Sequence, residues 1–178
     1  MSRDGRFLLF TQQNTPKTAN DIWVLPLDGE RKPVLLLATE FNEGNARFSP
    51  DGRWVAYQTN DSGRAEIYVR PFNPSGPAFG QGKWQISKDG GTLARWRADG
   101  KQIIFRAREG SPMAVDVTTS GAAFQASAPQ QLFQAPAGVG DWDFTPDGKR
   151  FLMALRPTLS PADEPITVVL NWKATLKR

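Results

Sequence analysis

Four aspartates stand in one repeated setting: Asp4-Gly5, Asp51-Gly52, Asp99-Gly100 and Asp147-Gly148, at spacings of 47, 48 and 48 residues. Carboxylates in register invite a metal-binding or acid–base reading. A catalytic pair has no need of a copy in every unit, whereas a turn does. Asp accepts hydrogen bonds from nearby backbone N–H groups, and Gly supplies the dihedral a tight turn requires. The four are therefore expected to be turn residues. The chain has no histidine and no cysteine, so neither a Ser-His-Asp nor a Cys-His nucleophile can be built, and zinc would lack its usual ligands. Asn60-Asp61-Ser62-Gly63 offers oxygens suited to calcium but too few for a cage, and reads as a hairpin turn. Ser49 to Trp54 lacks the spacing of a sialidase-type Asp box. No catalytic residue, metal or cofactor is expected.

The same dipeptides bring more into alignment. Phe48-Ser49-Pro50, Trp96-Arg97-Ala98 and Phe144-Thr145-Pro146 precede the Asp, and an apolar strand follows each Gly, such as Trp54 to Tyr57 and Gln102 to Phe105. A fixed period of this length marks one supersecondary unit repeated. The second unit reads as strands at Asn45–Phe48, Trp54–Thr59, Glu66–Arg70 and Lys83–Ser87. The third has Leu93–Arg97, Gln102–Arg106, Met113–Val117 and Gln130–Phe133. The first has Arg6–Thr11, Asp21–Leu27 and Pro33–Leu37, and lacks the first strand of the pattern. The last has Asp141–Phe144, Arg150–Leu155 and Ile166–Trp172, with 173–178 too short for a confident fourth. Four antiparallel strands per unit is the composition of a propeller blade. The expected fold is all-β: one propeller segment of about four blades, the first and last incomplete, in units of approximately 1–40, 41–90, 91–137 and 138–178.

The net charge of +4 is modest and the basic residues are scattered over strand ends and turns. No basic stripe suited to nucleic acid is formed. The longest apolar run, Pro33 to Ala38, is too short to span a bilayer, so no direct membrane insertion is expected. Met1 to Asp4 leads straight into the first repeat, and no signal peptide is expected there.

Phe48-Ser49-Pro50-Asp51-Gly52-Arg53-Trp54-Val55-Ala56-Tyr57, followed by Glu66-Ile67-Tyr68-Val69-Arg70, resembles the WD40-like propeller repeat of the TolB type. Phe144 to Phe151 matches well, and Asp21-Ile22-Trp23-Val24 matches its second half. The third unit departs, with Arg97-Ala98 for Ser-Pro and Met113-Ala114-Val115 for Ile-Tyr-Val. The tail, Ile166 to Trp172 with a short basic end, is similar to the C-termini of large bacterial receptor-like serine/threonine kinases that carry such a propeller. That resemblance implies a sensor or interaction end, outside the cytoplasm, with no kinase motif of its own. A weaker likeness, to propellers preceding the hydrolase domain of prolyl-oligopeptidase-like peptidases, implies a portion that supports or gates an enzyme supplied by another segment.

Inner strands line a propeller's central channel. Asn45, Arg47, Arg95, Arg97, Asp141 and Asp143 lie on those strands or at their ends, and are the candidates for binding an anion, a cation or each other, with mutual pairing the simpler reading. The six tryptophans are expected mostly between blades. Loops 71–82 and 157–165 are the candidate contacts for a protein or small-ligand partner. Open strand edges at both ends are pairing templates. They lead to the expectation of a homo-oligomer, a dimer closing a ring of about eight blades, or of the remainder of a larger propeller.

Overall fold

The computed structural model describes residues 1–15, 17–74 and 79–155, and all of its elements are strands. Each repeat unit supplies one antiparallel sheet. The first is β1 (Phe7–Thr15), β2 (Ala19–Pro26) and β3 (Val34–Leu37), in that order. The second is β4 (Gly44–Phe48), β5 (Trp54–Thr59), β6 (Glu66–Pro71) and the two-residue β7 (Trp84–Gln85). The third has β8 (Thr92–Trp96), β9 (Gln102–Arg106) and β10 (Pro112–Ser120), with both β11 (Ala123–Ala126) and β12 (Gln130–Gln131) pairing β10. The fourth pairs β13 (Val139–Phe144) with β14 (Phe151–Leu155). No described helix is long and apolar enough to cross a membrane.

β5 and β9, the strands after the second and third Asp-Gly turns, are buried on both faces, because their sheets each lie between two others. Along β5, Trp54 and Ala56 join the core shared with the third sheet, while Val55 and Tyr57 join the core shared with the first. Along β9, Ile103 and Phe105 face the second sheet and Ile104 faces the fourth. Period-two alternation thus feeds two cores at once. Fully burying a side chain of this kind contributes about 1.5–3 kcal/mol.

Two outer strands are shorter than expected: Lys83–Ser87 contracts to Trp84–Gln85, and Gln130–Phe133 to Gln130–Gln131. One strand was not legible. Beyond Val117, β10 runs on to Ser120, turns at Gly121 (φ 56°) and returns as β11. The hairpin carries Phe124 into the core between the second and third sheets, with ring centroids 5.1 Å from Trp54, 5.4 Å from Trp84 and 6.4 Å from Trp96. The expected strand Ile166–Trp172, loop 157–165, tail 173–178 and part of loop 71–82 lie outside the described residues.

The expectation for tryptophan divides. Trp54 and Trp142 are buried, and Trp84 and Trp96 pack against the core between the second and third sheets. Trp23 turns the other way and stacks on Phe10 at 6.4 Å, on the face of the first sheet opposite its core residues Ile22 and Val24.

Candidate functional site

Each repeated aspartate is committed to its own turn. The Gly N–H donates to the carbonyl three residues back: Gly5 to Ser2, Gly52 to Ser49, Gly100 to Arg97 and Gly148 to Thr145, at 2.7–3.1 Å. All four glycines have φ between 71° and 77°, where a side chain is strained. Ser2, Ser49 and Thr145 donate their hydroxyls to the turn carboxylate at 2.6, 2.5 and 2.5 Å. The same hydroxyls accept from the backbone N–H that opens the next strand, at Phe7, Trp54 and Arg150. Arg6 and Arg53 add their Nε groups to Asp4 and Asp51 at 2.6 and 2.7 Å.

The third unit solves the same problem differently. Arg97 takes the Ser place and reaches Asp99 with Nε at 2.9 Å and Nη2 at 2.7 Å, a two-pronged clamp. These contacts hold the carboxylates down. Asp4 falls to about 2, through the Ser2 hydroxyl first and Arg6 second. Asp99 falls to about 2 through Arg97. Asp147 is lowered by the Thr145 hydroxyl. At Asp51 burial pushes upward but is outweighed by Ser49 and Arg53. At Asp4, Asp51 and Asp99 hydrogen-bond donors thus occupy both carboxylate oxygens that a metal or a proton relay would need, and at Asp147 two donors converge on Oδ1.

The Asn60–Gly63 turn is similarly occupied. Asn60 Oδ1 accepts the Asn42 N–H at 2.7 Å, and Asp61 pairs with Lys83. Buried Glu66 accepts the Ser87 hydroxyl and the Gly90 N–H, the latter at 2.9 Å. Glu43, also buried, is raised above its usual range by desolvation despite hydrogen bonds from Thr39. Among the described residues no group of three or more acidic side chains is placed to share a cation.

The six inner-strand candidates separate into distinct settings. Arg97 belongs to its turn, as above. Asn45, in the left-handed region at φ 51°, donates Nδ2 to Gln58 on the adjacent strand at 3.1 Å. Asp141 accepts the N–H of Trp142, its own neighbour, at 2.8 Å. Arg47, Arg95 and Asp143 hold equivalent places on β4, β8 and β13, opposite Ala56, Ile104 and Leu152 in their sheets. Arg95 Nε lies 3.4 Å from Asp143 Oδ1. Arg47 has no carboxylate partner among the described residues, and its Nη1 donates to the carbonyl of Ala46 at 3.1 Å. Its proton affinity is lowered by burial first and by the Arg95 charge second, with Asp143 opposing.

Arg3 was not among the candidates. It takes the place held by Pro50, Ala98 and Pro146 in the later turns, and that substitution is the signal that sets it apart. It lines an open groove of about 490 Å³ together with Arg47, Arg95, Trp96, Pro50 and Pro146. Trp96 Nε1 donates to the carbonyl of Arg47 at 3.3 Å and ties β8 to β4 beneath this groove.

No family model matches the chain, and no curated protein matches it. Solved structures do match in fold. TolB from Acinetobacter baumannii superposes with a TM-score of 0.63 at 22% identity, over 89% of this chain and 37% of that one. A candidate TolB from Agrobacterium tumefaciens gives 0.51 at 16% identity, over 73% of this chain and 48% of that one. A candidate 6-phosphogluconolactonase from Bacteroides uniformis gives 0.57 at 20% identity, over 88% and 46%. The fold is that of the TolB-type β-propeller, and the chain spans less than half the length of each of these structures.

Proposed function

We propose that the chain is a non-catalytic β-propeller interaction module that completes its ring by pairing with a second copy of itself. The observation that supports this is the open face of the first sheet. Leu8 and Phe10 on β1 pair Leu25 and Trp23 on β2, and Leu35 on β3 extends the row. Leu8 and Phe10 are each 37% exposed and Leu35 45%, although the opposite face of this sheet is core. Between the first and second, second and third, and third and fourth sheets, such residues are buried against one another. Leu152 on β14, 77% exposed on the far side of the fourth sheet, supplies apolar surface for the reciprocal contact. Two copies related by a two-fold axis would then give a ring of about eight blades.

Sedimentation velocity on the purified chain tests the reading. A concentration-dependent dimer, lost in Phe10→Lys with Leu35→Glu, supports it. A well-folded species that stays monomeric at all concentrations sinks it, and leaves the face to further blades of a longer propeller. A second reading, that the propeller itself acts on a sugar lactone, draws on the likeness to the Bacteroides uniformis protein. Turnover of a sugar lactone by the purified chain would support that reading over the first.

A further inference from the structure

One position per blade behaves differently from the turn aspartates. The turn residue is Asp in all four repeats because every blade needs the same turn. The inner-strand position reads Arg47, Arg95 and Asp143 in successive blades, so the fold does not dictate its chemistry. The backbone presents these side chains side by side, with Arg3 rising from the first turn into the same groove.

The charges there are not balanced. Three guanidiniums and no carboxylate side chain line the groove, and Asp143 stands beside it, 3.4 Å from Arg95. Arg3 makes no hydrogen bond or ion pair among the described residues, and Arg95 Nε is buried without a hydrogen bond. In another arginine-bearing groove two of the three guanidiniums are held, Arg64 by the buried Glu66 at 3.6 Å and Arg106 by the carbonyl of Gly140 at 2.7 Å, while Arg108 makes no hydrogen bond or ion pair among the described residues. Holding like charges together in a partly desolvated cleft is unfavourable unless an anion joins them. The guanidinium fork fits the oxygens of a phosphate or carboxylate two at a time.

We propose that the groove between Arg3, Arg47 and Arg95 binds a compact dianion, either a phosphate group or a short dicarboxylate. Arg47 and Arg95 grip the oxygens, and Arg3 closes over them. Asp143 acts as an internal competitor that holds Arg95 when the groove is empty. This site is independent of the sheet face used for self-association.

The Trp96 indole N–H reports on the groove through its bond to Arg47. Its resonance, assigned with Trp96→Phe, is followed in the full chain as inorganic phosphate or succinate replaces chloride at constant ionic strength. A saturable shift with either anion is expected. Arg47→Met and Arg3→Met should each weaken the fitted affinity by about tenfold or more, and Asp143→Asn should tighten it. Thermal unfolding of each variant checks that the sheets persist, and Arg3→Met carries the test if Arg47→Met fails to fold. Absence of a saturable shift with both anions would overturn the site, as would folded arginine variants that bind like the unaltered chain. The Phe10→Lys chain should bind as the unaltered one does, which separates failure here from failure of the dimer.

Discussion

An aspartate that repeats once per blade is secured in two ways in this chain, by a hydroxyl at Asp4, Asp51 and Asp147 and by a guanidinium at Asp99. Asp51→Ala removes the acceptor for Ser49, for the Arg53 N–H and for Arg53 Nε together. It should cost about 1–2 kcal/mol in urea unfolding. Acid should act through the same groups. The folded-state values of Asp4 and Asp99 are depressed from 3.8 to about 2, so their contribution is full above 3.8 and is lost as pH falls toward 2. Melting temperature should drop through that window, and Asp99→Asn should make the drop shallower. Glu43 works in the opposite sense: its folded value lies above 4.5, so its ionisation lowers stability as pH rises past that point. The turn role of the aspartates was legible because Asp, Gly and the preceding Ser or Thr recur together. The separation of Arg97 from Arg95 was not, because two residues of one strand looked alike until Asp99 claimed one of them.

At the level of elements, the strongest strands were the most legible. β5 and β9 combine alternation with a turn on either side, and their observed limits match the expected ones. β7 and β12 are brief because they are outer strands with one partner each. β11 was invisible for a different reason: Ala123-Phe124-Gln125-Ala126 has a single large apolar residue and no pattern to read. Its pairing is made local by Gly121, and its place is fixed by a cluster of aromatic rings from distant parts of the chain. Phe124→Ala should therefore cost about 3–5 kcal/mol, a loss measurable by thermal or urea unfolding and out of proportion to the weakness of its strand signal. The inner strands carry their own device. β4 and β8 each place a non-glycine residue in the left-handed region, Asn45 at φ 51° and Leu93 at φ 55°, where the ladder register shifts. Asn tolerates this and β-branched residues do not. Asn45→Val should cost about 1–2 kcal/mol in urea unfolding, with the inner strand the first to loosen.

For the molecule as a whole, the period of the sequence announced the propeller, and the solved structures agree in fold. The open face of the first sheet was only partly foreseen. Open strand edges were the expectation, but not that Trp23 would turn outward to stack on Phe10. Phe10→Lys should shift sedimentation of the purified chain toward the single-copy value without lowering the melting temperature of that copy. The change adds charge to a face that is already in water.

The two-sided burial of β5 and β9 has a further consequence for how such a chain can grow. The repeat in the sequence runs from one Asp-Gly turn to the next, but the unit of cohesion is the seam between sheets, displaced by half a blade. A duplicated 48-residue segment therefore arrives with half of one seam on each face, and each half fits the complement already present. Copies can be gained or lost in whole numbers without redrawing the interior. No single copy is viable alone, since it would carry two unfinished seams and no finished one.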